Sequence, residues 1–209
     1  CYVPKMMKRF NAGYVHSDVY IKEEKALMKE IVASCKKHRN SNKQVFLSFL
    51  TDPYSSFNKN TKLTRRVLEI LLEYNIPVSI LSKGGMRILD DIDVFKKFGA
   101  NIQVGASLTF TNISDSLKWE KGAAIPEERF FALEYLHNEG IKTWASMEPV
   151  IYPDQSLEIM EITKDYVDGF KIGKLNHFPK HEVRFDWTKF LNDTIAIMRK
   201  HNKLFYIKN

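Results

Sequence analysis

The chain has 209 residues, 44% hydrophobic and 27% charged, with a formal net charge of +7; this excludes a disordered or fibrous chain and describes a globular one long enough for a sizeable core, a single domain over residues 1–209. Two cysteines, Cys1 and Cys35, exclude a disulfide-dense secreted scaffold and point to a reducing cytoplasm, and no apolar run reaches membrane-spanning length. The positive charge permits a polyanionic partner without requiring one, because the lysines are spread along the chain.

Residues 1–20 have no sustained period and read as an extended loop. Its Lys5, Lys8 and Arg9, interleaved with Tyr2, Phe10 and Tyr14, suit either a single-stranded nucleic-acid surface or an ordinary solvated loop. Ile21 to Arg39 reads as a helix with Leu27, Met28, Ile31, Val32 and Cys35 on one face, which makes Cys35 a core thiol. Val45 to Leu50 is an uncharged run suited to a parallel strand covered on both faces, and it delivers Thr51-Asp52-Pro53-Tyr54 at its C-terminal end. A polar loop runs to Asn60, followed by a helix from Thr61 to Tyr74 with Leu63, Val67, Ile70 and Leu71 inward. A strand over Pro77 to Ser82 ends in Lys83-Gly84-Gly85.

A third helix is expected from about Met86 to Phe98, opened by Asp90, Asp91 and Asp93 and closed by Gly99. Asn101 to Leu108 alternates Ile102, Val104, Ala106 and Leu108 against Gln103, Gly105, Ser107 and Thr109, the period of a strand. A long loop over Phe110 to Ile125 leads to a helix started by Pro126, Glu127 and Glu128, with Phe131, Ala132, Tyr135 and Leu136 expected inside and Gly140 as its stop. Strands over Ile141–Met147 and Asp168–Gly173 flank a helix from Ser156 to about Asp165. A final helix is capped by Asp186, with Trp187, Leu191, Thr194, Ile195 and Met198 as its stripe, and Leu204–Lys208 forms a closing strand.

This alternation specifies an α/β fold with parallel strands and helical crossovers, a barrel or an open sheet. No glycine-rich dinucleotide or phosphate-loop motif follows any strand. Polar residues instead gather at successive strand ends: Thr51 and Asp52, Ser82 and Lys83, Ser107 and Thr109, Glu148, then Lys174 and Asn176, as in a barrel active site. A lysine and an aspartate at neighbouring strand ends are the complement of a zwitterionic amino acid, Lys83 for its carboxylate and Asp52 for its amine. Glu120 suits either ribose hydroxyls or solvent. An ordinary barrel enzyme with Asp52 or Glu148 as general base is a weaker reading. His137, His177 and His181 have no metal-ligand spacing.

The set Cys1-Tyr2, Thr51-Asp52-Pro53-Tyr54, Ser82-Lys83, Ser107, Trp119-Glu120 with Glu128-Arg129, and Pro149-Val150-Ile151-Tyr152 resembles the radical S-adenosylmethionine superfamily. More narrowly it is similar to the branch containing spore photoproduct lyase and the proteins loosely called DNA repair photolyases. The resemblance runs from Cys1 to about Tyr152. It implies a partial (β/α)6 TIM-like barrel, here lacking its first strand, that holds a [4Fe–4S] cluster and cleaves S-adenosylmethionine to a 5′-deoxyadenosyl radical for hydrogen abstraction.

Carried over, Cys1 is the last of three cluster ligands, Thr51 and Asp52 meet the methionine amine, Lys83 its carboxylate, and Ser107 and Glu120 the ribose. The resemblance also implies an electron donor such as flavodoxin or ferredoxin, and a DNA or RNA substrate. The other two cluster cysteines and the first strand are absent, so the native protein is expected to extend upstream and this chain alone to lack activity. The lyase of this branch places a hydrogen-donor cysteine just before its hydroxyl–aspartate pair; Phe49-Leu50 stand there in this chain, so another substrate is expected. The alternative is a degenerate barrel that binds nucleic acid without redox chemistry.

Overall fold

In a computed structural model that describes residues 23–39, 41–47, 51–175 and 185–208, the apolar runs form six strands with helices between them. Helix α1 (Glu24–His38) precedes β1 (Val45–Leu47); α2 (Ser56–Thr61) and α3 (Leu63–Glu73) lead to β2 (Val78–Ser82). A 3-10 helix (Gly85–Asp91) and α4 (Ile92–Phe98) lead to β3 (Ile102–Ser107). After it come α5 (Ile113–Trp119), α6 (Pro126–Asn138), β4 (Lys142–Val150), α7 (Pro153–Thr163), β5 (Gly169–Lys174), α8 (Trp187–Lys200) and β6 (Leu204–Lys208). The strands pair in chain order and every pair is parallel, which among the described residues leaves β1 and β6 as the sheet's two edges. The alternation left a barrel and an open sheet as alternatives; the sheet is not closed, as in the partial barrel that the resemblance implies.

The period-2 pattern decides which face is which. Val78, Ile80, Ile102, Val104, Ala106, Ala145, Met147, Phe170 and Ile172 are all nearly or fully buried in two apolar clusters with helix residues such as Leu68, Leu71, Phe95, Leu133, Leu136, Ile159 and Met198. The alternate positions, Phe46, Ser79, Gln103, Gly105, Ser107, Trp144 and Lys171, turn to the concave face. There the sheet curls strongly. Phe46 on β1 and Trp144 on β4 are three strands apart, roughly 14 Å across a flat sheet, yet their ring centroids lie 6.1 Å apart. Gly105 on the intervening strand makes this contact possible, because a side chain there would run into the Trp144 indole.

Helix ends follow their chemistry. Glu23 caps α1 by accepting from the Lys25 and Ala26 N–H groups, and Asp186 caps α8 by accepting from Lys189 N–H. Cys35 is the expected core thiol, 4% exposed, with burial pushing its pKa up.

Four expectations need correction. The stretch 110–125 is not one loop, since α5 occupies its middle. The polar stretch before Asn60 contains α2, and α3 begins only at Leu63, after Lys62 adopts φ 51°. The helix expected from Met86 starts as a 3-10 turn, so the three aspartates lie around its junction with α4 rather than on one α-helical turn. On α6 the inward face is Arg129, Ala132, Leu133 and Leu136; Phe131 and Tyr135 are 49% and 41% exposed and stack on each other outside. A buried arginine takes the inward place that hydropathy assigns to an aromatic. Ser48 to Leu50, the second half of the expected first strand, lie outside the described residues.

Gly105→Ala is expected to destabilise the protein by about 1–3 kcal/mol through overpacking against Trp144, measured by urea denaturation. An unchanged midpoint would show that the indole moves aside freely.

Candidate functional site

The C-terminal ends of β1, β2 and β3 bring Asp52, Lys83 and Ser107 to one rim. Asp52 is bound into its own chain: Oδ1 accepts from Ser82 Oγ at 2.6 Å and from the Tyr54 N–H at 2.8 Å, and Oδ2 accepts from the Lys83 N–H at 2.6 Å. Ser82 Oγ in turn accepts from the Gly84 N–H at 2.8 Å. One carboxylate therefore clasps the loops after β1 and β2 together. Gly84 is required at this junction, because a Cβ would lie 2.7 Å from Tyr54 Cβ and 2.9 Å from Ser82 Oγ. Gly85, at φ +54°, packs on Ala124 and Glu128 of the next rim segment.

Beside this clasp runs a chain of charges. Lys83 Nζ lies 2.7 Å from Glu120 Oε1, and Glu120 Oε2 lies 2.6 Å from Arg129 Nη1. The side chains are 40%, 6% and 1% exposed, so the carboxylate and the guanidinium are inside and the ammonium reaches the surface. Arg129 also donates Nε to the Ala124 carbonyl and Nη1 to the Ser107 carbonyl, both at 2.8 Å, and Nη2 to Ser116 Oγ at 3.4 Å. It thereby ties α6 to α5 and to the end of β3. Burying two charges this completely is tolerated only when their remaining hydrogen-bonding capacity is filled, and Arg129 meets that condition with three neutral acceptors. Phe110, stacked on Trp119 at 6.5 Å and tilted against Tyr152 at 5.9 Å, adds an aromatic wall at the same end of the sheet.

A second network braces the rim from outside. Tyr54, 1% exposed, donates its hydroxyl to Asp91 Oδ2 at 2.9 Å and accepts from Arg87 Nε at its carbonyl. Arg65 reaches Asp91 Oδ1 at 3.4 Å and grips Asp93 with two hydrogen bonds, at 2.8 and 2.7 Å. Burial, reinforced by Asp91, pushes the Tyr54 hydroxyl's pKa well up. Burial raises Asp91 as well, against the lowering effect of its bonds to Tyr54 and Arg65. The Arg65 hydrogen bonds hold Asp93 down at about 2.

The structure thus brings Asp52, Lys83, Ser107 and Glu120 to one end of the sheet, with Thr51 exposed beside Asp52. Lys83 turns toward Glu120 rather than along the glycine backbone. Arg129 and Tyr54 carry much of the geometry although the strand-end pattern did not include them, and Ser82, which it did include, serves by bonding Asp52. The signal for Arg129 was its place in the Glu128-Arg129 pair, a short way downstream of Glu120. Glu148 lies against Gly173 with Lys208 Nζ at 3.6 Å, and Lys174 lies over the Trp187 ring at 5.9 Å. Cys1 and Asn176 lie outside the described residues. Among the described residues no group of His, Cys, Asp and Glu forms a metal-binding set, and no helix is long and apolar enough to cross a membrane.

Comparison with known proteins agrees with this architecture. No family model matches the chain. A protein of Methanocaldococcus jannaschii described as the uncharacterized protein MJ0683 is 34% identical over 156 residues, 74% of this chain; the chain spans only 55% of that relative's length. Streptococcus suis SuiB bound to S-adenosylmethionine superposes with a TM-score of 0.68 at 13% identity, over 92% of this chain and 45% of SuiB. Spore photoproduct lyase complexed with a dinucleoside spore photoproduct gives 0.69 at 12% identity, over 99% of this chain and 71% of the lyase. The chain therefore has the fold of SuiB and spore photoproduct lyase, the open parallel half-barrel that the sequence resemblance implies.

Two measurements probe the rim. Glu120→Gln leaves the Arg129 charge buried beside a neutral amide and is expected to lower the unfolding free energy by about 3 kcal/mol. Lys83→Met, at a partly exposed ammonium, should lower it by under about 1 kcal/mol. Equal losses in urea would make Lys83 the principal partner of Glu120. Asp93 has its folded pKa below its unfolded one, so its contribution to stability is complete above the ordinary carboxylate range and drains as pH falls toward about 2. Asp93→Asn is expected to flatten that acid limb of the stability curve, and an unaltered limb would assign it to other carboxylates.

Proposed function

We propose that this chain is the S-adenosylmethionine-binding barrel of a radical S-adenosylmethionine enzyme. The observation that carries the reading is the charge count at the rim: two cations, Lys83 and Arg129, share the single carboxylate of Glu120, and the outer cation is partly exposed. One positive charge is in surplus there, and Lys83 has two further N–H donors for a ligand carboxylate. Asp52, bonded to the backbone of Lys83 itself, engages three donors of its own chain, and a carboxylate has about four acceptor directions. One direction is left for a ligand amine. The chemistry of these groups fits the amino-acid end of S-adenosylmethionine.

In this reading Lys83 holds the ligand carboxylate, Asp52 and Thr51 receive the amine, and Ser107 and Glu120 face the ribose hydroxyls. Arg129 keeps Glu120 and the end of β3 in register with them. The aromatic wall of Phe110, Trp119 and Tyr152 keeps water from that side and strengthens each charged contact. Together with a [4Fe–4S] cluster, bound S-adenosylmethionine supplies a 5′-deoxyadenosyl radical for hydrogen abstraction. Cys1 is the ligand this chain would offer the cluster, on the strength of the resemblance, with an electron donor of the flavodoxin or ferredoxin kind. S-adenosylmethionine bound to SuiB, and AdoMet together with a dinucleoside bound to the lyase, support the assignment. A precursor peptide on SuiB and a dinucleoside on the lyase show that the scaffold is not tied to one substrate class. The net charge of +7 favours a nucleic acid here.

The full-length protein, reconstituted anaerobically with iron and sulfide, is expected to turn brown and to cleave S-adenosylmethionine. By calorimetry, Lys83→Ala should weaken binding of this cofactor about tenfold or more while the thermal transition is retained. A colourless protein that leaves the cofactor intact, or a Lys83→Ala variant of unchanged affinity, would refute the reading. Nucleic-acid binding by such a colourless protein would instead select the degenerate barrel.

A further inference from the structure

The concave face of the sheet carries a second feature, below the rim and on other strands. A hollow of about 260 Å³ is lined by Gln103, Lys142, Trp144, Lys171 and Tyr206, among others. Both lysines are exposed, and neither meets a carboxylate among the described residues. The lining holds one carboxylate, Asp168, whose Oδ2 accepts from the N–H of Thr143, another lining residue, at 2.8 Å; the two ammoniums outnumber it. Lys171 Nζ stands 4.4 Å from the centre of the Trp144 ring and 5.8 Å from that of Phe46, so an aromatic floor holds the ammonium in place. Trp144 is only 5% exposed, and its indole N–H has no acceptor among the described residues.

The strand register fixes the distance of this hollow from the rim. Ser107 pairs with Ser146, Ser146 with Lys171, and Lys171 with Tyr206. Lys171 is therefore two strand spacings, roughly 10 Å, from Ser107. Its ammonium is turned onto Trp144, which pairs with Gly105 two residues before Ser107, so the hollow lies deeper on the concave face than the rim.

We propose that this hollow binds the phosphate group of the substrate, a phosphate ester, with Lys171 and Lys142 as its anion anchors and Trp144 and Tyr206 against the organic part of the ester. Lysine is suited to this as a point charge with rotatable donors, whereas a planar carboxylate is better matched by arginine, which is absent from the lining among the described residues. The volume suits a small group, a phosphate with part of its substituent. A nucleic-acid backbone and a small phosphorylated metabolite share this chemistry. The proposal rests on the cofactor reading above only for what lies next to the hollow.

The test is calorimetric titration of the full-length protein and of Lys171→Ala and Lys142→Ala, with phenyl phosphate, a short single-stranded oligothymidylate and S-adenosylmethionine as probes. The wild-type protein is expected to bind at least one phosphate probe, each lysine variant to bind it about tenfold more weakly, and S-adenosylmethionine affinity to change less than about twofold. Tighter binding of the oligothymidylate, with steep loss in salt, identifies a nucleic-acid backbone; tighter binding of phenyl phosphate identifies a small ester. A wild-type protein that binds neither phosphate probe, or lysine variants that bind as the wild type does, would overturn the proposal. Failure of the wild type to bind S-adenosylmethionine, with the phosphate results intact, would sink the cofactor reading and leave this one standing.

Discussion

A carboxylate buried between two cations sets the terms for the whole rim. Glu120 sits at the end of a short helix, 6% exposed, and its charge is acceptable there only because Lys83 and Arg129 each pair with one of its oxygens. Arg129 reaches that position from α6 and directs its other donors to carbonyls at the end of β3 and before α6 itself. The result is a frame that joins Lys83 after β2, the end of β3, Glu120 after α5 and Arg129 on α6. Lys83 is the most exposed member of this frame, its backbone N–H held by Asp52 and its ammonium by Glu120.

The concave face is organised by the opposite device, the removal of side chains. Gly105 gives way to the Trp144 indole, and Gly173 gives way to Glu148. With those positions vacant, Trp144 and Phe46 meet across the curl of the sheet and form a floor, and Lys171 lies over it. A closed barrel fills its centre with branched side chains. Here the strand order leaves an open edge at β6, and the inner positions of β3 to β5 are small or polar apart from the Trp144 floor. The outer positions of the same strands carry the apolar burial that stabilises the fold, so the inner face is free to be polar at little cost in stability.

The fold was legible because its signal is periodic. The alternation in Ile102 to Thr109 states which face of β3 meets the helices, and Pro126 with Glu127 and Glu128 states where α6 begins. The rim residues were legible as a group, since parallel strands deliver their C-terminal ends to one side. Their partners were not. The bond from Lys83 N–H to Asp52 spans 31 positions, and nothing local distinguishes a carboxylate that clasps two loops from one that waits for a ligand. The face of α6 was misread because Arg129, stabilised by partners at positions 107, 116, 120 and 124, occupies a site where hydropathy places Phe131 or Tyr135. Helix α5 was missed because seven residues with one buried side chain, Ser116, carry no stripe.

Asp52 and Glu120 show how one residue type divides two tasks at neighbouring strand ends. Asp52 engages its acceptor directions with uncharged N–H and O–H donors, so its negative charge is not cancelled by a cation and persists at the rim. Glu120 has two cations against it, so the charge that persists there is positive and resides on Lys83. The mouth thus presents a negative site and a positive site joined by a single backbone bond, that from Lys83 N–H to Asp52. In the proposed reading, a ligand with both charges on one carbon is matched to that pair, and one with a single charge meets repulsion from one member of it. Selectivity for the zwitterion would then follow from the sign of what each pairing leaves over, before any shape is considered.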